Sequence, residues 1–401
     1  MDPNATAAVA PRLAVMLQPD ANSFAVVRIA MALAVLVSHG FYLYGGTTAA
    51  EPLVAWTGHS LGEHAVQVFF FLSGILVAQS FDRSRSLIDF TVGRVLRIFP
   101  GLAACILLTA LVLGPLVSTL DAGAYFTSSE PYRYVLRTLS LSTGSAPLPG
   151  VFETLPAASI VNMSLWTLKY EVLCYAMLAV AGLVGLFAPR FRTIASVALA
   201  LFIALVFIET PKAIETYTSL DNVRYFALFF ATGVLAYLLR ERVVVSGALT
   251  AALFVLFAVC NGTRFGELSS ALFLGQATLY AARFSFGPLR GLANRFDLSY
   301  GVYIYACPVQ QLLTERLAHI GPCGLIVLAV LLVAPMALVS WVFVERPALL
   351  SRKMLAAFLE RLLPPVLRPR GAASNVRVLG GLGDTGLTSR SNPGARLKPG
   401  R

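Results

Sequence analysis

Long apolar runs separated by short polar joints constrain this chain more than any other feature of its sequence. A helix that crosses a lipid bilayer needs about 20 mostly apolar residues. Transmembrane strands are disfavoured, because the runs are too long and lack period-two alternation. The sequence therefore predicts an all-α, polytopic integral membrane protein with about ten transmembrane helices. The predicted spans are residues 24–45, 62–80, 98–119, 167–187, 193–210, 222–240, 244–260, 267–282, 297–315 and 323–344.

The composition supports a membrane domain and argues against a soluble protein. Hydrophobic residues make up 57% of the chain and charged residues only 13%, whereas a soluble domain carries about 25% charged residues. The net charge of +11 would favour binding to nucleic acid, but the basic residues lie between the apolar runs and in the tail. We expect the lipid bilayer as a partner and no nucleic acid. No metal is expected, because the cysteines and histidines lack metal-ligand spacing.

The distribution of basic residues predicts the orientation of the chain. If the N-terminus is inside, the cytoplasmic segments carry 23 of the 31 Lys and Arg residues, and the outer segments carry five. Cytoplasmic loops of membrane proteins are enriched in these two residues. We therefore expect both termini in the cytoplasm and a multi-pass location in the bacterial inner (plasma) membrane.

Three segments outside the predicted spans are longer than the other connections. Residues 1–23 form a cytoplasmic N-terminal segment, and residues 120–166 form a long outer loop within the membrane domain of residues 24–345. Residues 346–401 form a basic cytoplasmic tail. Its composition, rich in Gly, Pro, Ser and Arg, predicts disorder from about residue 366.

The first predicted span contains two ionisable residues, Arg28 and His39. Each such group costs about 2.5–3.5 kcal/mol on insertion scales, so it needs a function or a partner. A spacing of eleven is three turns plus about 20°, which places both side chains on one helix face, about 16 Å apart along the axis. We expect a polar stripe through much of the membrane. In the alternative, Arg28 extends to the cytoplasmic interface and His39 bonds a carbonyl of a neighbouring helix.

Arg94 and Arg97 stand where the second cytoplasmic loop enters the third predicted span. Residues three apart share a helix face, and paired guanidinium groups fit phosphate oxygens. The pair is therefore a candidate phosphate site at the cytoplasmic mouth. Taken alone, it is explained more simply as positive charge that anchors the inner face.

Two polar and aromatic stretches follow in the fourth and ninth predicted spans. Glu171 begins the fourth span, and Tyr175 lies one turn later on the same face. Tyr300 and Tyr303 lie in the ninth span, in a run of Tyr, Ser and Gln side chains that Pro308 interrupts. The position of Glu171 beside the outer loop favours a functional site. An interfacial charge and ordinary helix packing are the alternatives for the two stretches.

These constellations, in this order, resemble the membrane-bound acyltransferase-3 family, the O-acetyltransferases of bacterial surface polysaccharides, lipopolysaccharide and rhizobial nodulation factors. The resemblance covers about residues 22–350. Ala306 departs from it, because many relatives carry His at this position. The matching residues are Arg28 and His39, the run 69–74, Arg94, Arg97 and Pro100, Ser164 to Trp166 with Glu171 and Tyr175, Ser299 to Tyr303, and Glu345 to Pro347.

The resemblance implies an enzyme, a membrane O-acyltransferase. It would move an acyl group from cytoplasmic acyl-CoA to a sugar hydroxyl of a surface glycan, exopolysaccharide or lipochitooligosaccharide. Acetyl, from acetyl-CoA, is the acyl group that we expect. In this interpretation Arg94 and Arg97 bind the CoA phosphates, and His39 acts as general base or carries the acyl group itself. Arg28 would stabilise an oxyanion or a phosphate, and Glu171 would orient His39 or bind the acceptor. The residues expected to bind substrate are Trp166, Tyr175, Tyr300 and Tyr303.

A carrier is the competing interpretation. A secondary transporter or flippase of a lipid-linked glycan would also need many spans and buried charges. Two features favour the enzyme over a carrier. The chain has no detectable internal repeat, and the pair Arg94 and Arg97 is suited to bind phosphate. A receptor or scaffold would not need the stripe formed by Arg28 and His39.

Overall fold

The structure is a computed structural model that describes residues 10–143, 146–209, 218–317 and 319–362. Within these residues the chain is helical, and an isolated β-bridge is the sole extended pairing. The all-α fold predicted from the sequence is therefore confirmed. Ten main helices of the described residues overlap the ten predicted spans, although the third begins eleven residues before its span. They are α1 Phe24–Gly45, α2 Leu61–Arg83, α3 Leu87–Leu108, α4 Leu168–Leu183, α5 Arg192–Glu209, α6 Ser219–Leu238, α7 Gly247–Cys260, α8 Gly266–Ala281, α9 Ser299–Arg316 and α10 Gly321–Ser340.

Short helical segments join and extend these ten helices. Two of them are π-helical and continue α3 and α10 toward the ends of their apolar runs. The π-helical segments are Thr109–Leu113 and Trp341–Glu345, the 3-10 segments are Met163–Thr167 and Pro189–Phe191, and the α-helical segments are Leu13–Met16, Pro52–Thr57, Gly114–Val117, Ala122–Thr127, Glu130–Leu139, Pro288–Arg295, Arg346–Leu350 and Arg352–Leu362.

Several of these helices suit a multi-pass membrane protein. In the described part of the chain, five helical stretches are long and apolar enough to cross a bilayer: Phe24–Gly45, Leu61–Arg83, Leu87–Val117, Pro189–Phe207 and Gly321–Leu362. The other main helices are shorter or more polar. The total of ten spans and the cytoplasmic position of both termini remain predictions. The predicted disordered tail lies outside the described residues.

Helix α9 occupies the centre of the bundle. Every residue from Ser299 to Gln311 is buried, although the helix carries many polar side chains. Gln310 donates a hydrogen bond to the carbonyl oxygen of Leu36 in α1 at 2.8 Å. Gln311 donates to two carbonyl oxygens of the segment before α4. A polar helix is stable here because neighbouring backbone, and not lipid, satisfies its side chains.

The segment predicted as an outer loop, residues 120–166, packs deep between the helices at its C-terminal end. Val161 and Asn162 are almost fully buried. The Asn162 amide donates to the carbonyl oxygen of Ile304 in α9 at 2.8 Å. The chain then forms the 3-10 turn that leads into α4. The start of α4 is thereby positioned inside the bundle.

Helices α2 and α6 pack against each other at closest range where two glycines meet. A Cβ atom on Gly74 would overlap the carbonyl oxygen of Phe230, and one on Gly233 would overlap that of Phe71. Small residues let membrane helices approach backbone to backbone. The contact fixes α2, which supplies one wall of the site described below.

Candidate active site

A cavity opens between helices α1, α2, α3, α4 and α9. It encloses about 860 Å³ of empty space, counted to its open mouth. Pockets that combine apolar walls with a few convergent polar groups are typical ligand sites. The structure brings seven of the nine predicted site residues to its lining: Arg28, Arg94, Arg97, Glu171, Tyr175, Tyr300 and Tyr303.

Two of the arginines share one carboxylate. Arg28 Nη1 lies 2.9 Å from Oδ2 of Asp297, and Arg97 Nη2 lies 2.7 Å from the same oxygen. Ser299 donates its hydroxyl to the other oxygen, Oδ1, at 2.7 Å. Helices α1 and α3 and the residues before α9 are thus joined by charge-assisted hydrogen bonds. The carboxylate holds the two guanidinium groups side by side at the cavity wall.

Arg94 has no carboxylate partner within the described residues. Its Nη2 contacts the Ser80 hydroxyl at 3.4 Å, and its guanidinium carbon lies 5.8 Å from the centre of the Tyr175 ring. Its Nε is buried without a hydrogen-bond partner in the structure. Buried donors are almost always paired in proteins, so this group is suited to an anionic ligand.

Glu171 faces the cavity from the first turn of α4. It accepts hydrogen bonds from the Tyr175 hydroxyl and, at 3.4 Å, from the Ser73 hydroxyl of α2. One turn earlier, Thr167 and Tyr303 hydrogen-bond through their hydroxyl groups at 2.8 Å. The 3-10 turn and α4 therefore present a continuous polar edge along the cavity.

His39 lies beyond the residues that line the cavity. Its Nδ1 is 3.5 Å from the Ser164 hydroxyl, which is almost fully buried. Ser164, Thr167 and Glu171 follow one another on the segment that enters α4. This segment runs from His39 to the cavity, so the polar stripe predicted on α1 continues through residues of a second element.

Trp166 is the second predicted site residue that does not line the cavity. Its side chain is 38% exposed and lies against the rings of Tyr170 and Phe226, with centroid distances of 5.8 and 5.5 Å. The structure therefore separates Trp166 from the other predicted substrate-binding residues. Any contact with substrate would be made outside the cavity.

A separate polar cluster lies at the N-terminal end of α2, whereas Arg94 contacts this helix near its C-terminal end. His59 Nε2 lies 2.8 Å from Glu267 of α8, and its Nδ1 lies 3.8 Å from Glu63. Burial opposes its charged form, but hydrogen bonding and the charges of the two carboxylates outweigh burial and raise the pKa of His59 to about 10. His64 hydrogen-bonds Gln67 and Thr57 at 2.9 and 3.0 Å. This cluster ties the loop before α2 to the bundle.

A family model described as an acyltransferase domain matches residues 22–345. The chain belongs to the acyltransferase-3 family. This acyltransferase is 33% identical over 328 residues to the "O-acetyl transferase" of Shigella phage Sf6. The aligned region covers 81% of this chain and 95% of the phage protein. It is 29% identical over 365 residues to "Nodulation protein 10" of Rhizobium leguminosarum bv. viciae. This aligned region covers 84% of this chain and 95% of that protein. No solved structure gives a significant match.

Two residues of the site were not predicted from the sequence of this acyltransferase. Asp297 stands just before the Ser299–Tyr303 motif, and the signal available was an acidic side chain at the first residue of the ninth predicted span. Ser164 belongs to a motif that was recognised, but nothing in the sequence links it to His39. Among the described residues, no group of three or more His, Cys, Asp or Glu side chains could hold a metal ion.

Proposed function

We propose that this protein is an O-acyltransferase of the bacterial inner membrane that transfers acetyl from acetyl-CoA to a sugar hydroxyl of a surface glycan. One observation carries the proposal: Arg28, Arg94 and Arg97 converge on one cavity, and among the described residues Arg94 has no carboxylate partner. Guanidinium groups bind phosphate oxygens through paired, charge-assisted hydrogen bonds. The three phosphate groups of CoA provide such oxygens.

The chemistry requires a base for the sugar hydroxyl. His39 would accept the hydroxyl proton while the sugar oxygen forms a C–O bond to the acetyl carbonyl carbon. The C–S bond of the thioester then breaks, and the proton passes from His39 to the departing CoA thiolate. Ser164 supports this role: its hydroxyl oxygen lies 3.5 Å from Nδ1 and would accept a hydrogen bond from Nδ1–H, which leaves Nε2 unprotonated to act as base.

We propose the acceptor class from the names of the two relatives. One is an O-acetyl transferase, and the other is a nodulation protein. A surface polysaccharide, an exopolysaccharide or a lipochitooligosaccharide (nodulation factor) is therefore the acceptor class that we propose. Trp166, exposed on the segment that enters α4, is available to contact a sugar ring from outside the cavity.

Transfer of label from acetyl-CoA to extracted glycolipid tests this function. We expect the purified wild-type protein to transfer label and the His39→Ala variant to lose at least about 100-fold in kcat, since general bases contribute roughly 10²–10⁴-fold. The Arg94→Ala variant should raise the KM for acetyl-CoA about tenfold, because one charge-assisted hydrogen bond contributes about 1.5–3 kcal/mol. A carrier would transfer no label.

Two exposed residues provide matched controls. His319 is exposed, and Arg133 pairs with Glu130 on a surface helix. Replacing either by Ala should leave the rate at the wild-type value. Wild-type activity in a correctly inserted His39→Ala protein would eliminate His39 as the base. A KM for acetyl-CoA unchanged in Arg94→Ala would eliminate the phosphate role.

A further inference from the structure

The cavity differs in chemistry from one end to the other. Helix α2 lines it from Val66 to Val77, a distance of about 16 Å at 1.5 Å per residue. The Val77 end lies next to Ser80, which Arg94 contacts. The other end is aromatic: the Phe69 and Tyr303 rings meet edge to face with their centroids 5.9 Å apart. The cavity thus runs from a cationic end to an apolar end.

The aromatic end is held in place by a hydrogen bond. Tyr303 is buried, and its hydroxyl is paired with that of Thr167 at 2.8 Å. The Tyr303 ring is therefore fixed between α9 and the turn before α4. Phe69 is only partly buried and faces the cavity. Its side chain sets how much space remains in front of Tyr303, and Ser164 with His39 lies on the far side of Thr167.

We propose that Phe69, backed by Tyr303, is the residue that limits the transferred group to a short acyl chain. The proposal rests on the function proposed above: with the CoA phosphates at the arginine end, the thioester points to the aromatic end. A longer acyl chain would have to enter the space filled by the Phe69 ring. Packed cores resist added methylene groups, and one methylene in an apolar pocket changes kcat/KM by roughly 10–200-fold.

A series of acyl-CoA donors with acetyl, butyryl and hexanoyl chains tests the proposal. The quantities measured are kcat/KM for each donor and the mass of the acyl group on the glycan product. Wild-type protein should prefer acetyl to hexanoyl by at least about 100-fold, a preference that the Phe69→Ala variant should reduce at least tenfold. Phe69→Leu, which removes less volume, should give an intermediate ratio and covers the case in which the Ala variant folds poorly.

Leu76 supplies the matched control. It lines the same cavity from the same helix, but near the arginine end. Whatever Leu76→Ala does to the rate with acetyl-CoA, it should keep the wild-type ratio between acetyl and hexanoyl donors. An unchanged ratio in both Phe69 variants that still transfer acetyl would overturn the proposal, as would an equal shift in Leu76→Ala. If wild-type protein transferred no acyl group from any donor, the proposed function itself would fail.

Discussion

At the scale of single residues, Asp297 positions two of the arginines that line the cavity. Among the described residues, it is the one carboxylate that contacts both Arg28 and Arg97, at 2.9 and 2.7 Å. Two guanidinium groups this close repel each other unless an anion lies between them. Asp297 is a positioning residue by this geometry, because it aligns the two arginines and leaves their remaining N–H groups for a ligand.

Replacing this carboxylate should affect stability and donor binding together. We expect Asp297→Asn to lower the free energy of unfolding by about 1.5–3 kcal/mol, the contribution of hydrogen bonds to charged groups, and to raise the KM for acetyl-CoA. Asp297→Glu should restore part of both. Thermal unfolding in detergent and donor kinetics measure the two effects.

An exposed ion pair is the control for this variant. Glu130 pairs with Arg133 at 3.0 Å on a surface helix, and such pairs contribute about 0–1 kcal/mol. Glu130→Gln should therefore behave like the wild type. Equal behaviour of the two variants would mean that Asp297 has no special role.

The residue patterns on single helices were predictable from the sequence, but their meeting in space was not. Helical periodicity places Arg28 and His39 on one face and Glu171 beside Tyr175, because these pairs depend only on local geometry. The ion pair from Arg28 to Asp297 joins residues 269 positions apart. Such contacts depend on how ten helices pack, which no local pattern specifies.

At the scale of helices, the predicted start of α3 is too late because its first turns carry charged residues. The third span was predicted from residue 98, but the helix begins at Leu87. The Ser86 side chain caps it by accepting from the backbone N–H of Asp89 at 3.0 Å. Hydropathy detects an apolar run, whereas a helix continues through arginines without interruption. Arg94 and Arg97 thereby lie on a rigid element and not in a loop.

The glycine contact between α2 and α6 makes a prediction at the same scale. Gly74→Ala should force the two helices apart, because the new Cβ has no space beside the Phe230 carbonyl. We expect a loss of about 1–3 kcal/mol or more, measured as a lower unfolding temperature and a smaller yield of monodisperse protein in detergent.

Gly291→Ala is the matched substitution. Gly291 lies in the helix Pro288–Arg295, and no atom lies within 4 Å of its added Cβ. Alanine favours a helix over glycine, so the unfolding temperature should stay the same or rise slightly. Similar losses in Gly74→Ala and Gly291→Ala would contradict a close contact between α2 and α6.

At the scale of the whole molecule, the longest helical stretch tests the orientation of the chain. Gly321–Leu362 contains 42 residues, in α10 and three shorter segments with a turn at Ser351. At 1.5 Å per residue, the part before this turn corresponds to about 45 Å of helix, more than the thickness of a hydrocarbon core. Cys323 near its start and Lys353 near its end are both exposed. Lys353 follows the turn at Ser351, so a crossing of the bilayer by this stretch would place Cys323 and Lys353 on opposite sides.

A membrane-impermeant maleimide can distinguish the two sides. With intact inner membranes, we expect label on Cys323 and its loss in Cys323→Ser. In a background with Cys260→Ser and Cys323→Ser, the Lys353→Cys variant should react only after the membrane is permeabilised. Labelling of the Lys353→Cys variant in intact spheroplasts would reverse the predicted orientation.

The buried segment before α4 has a consequence for the energy supply of the cell. A bacterial inner membrane stores a voltage, and any continuous water path across it would dissipate that voltage. Val161, Asn162, Ser164 and Leu165 are at most 2% exposed, so packed protein and not water surrounds this part of the segment. In the inner membrane that we propose for this enzyme, such packing would oppose a leak of protons along the segment.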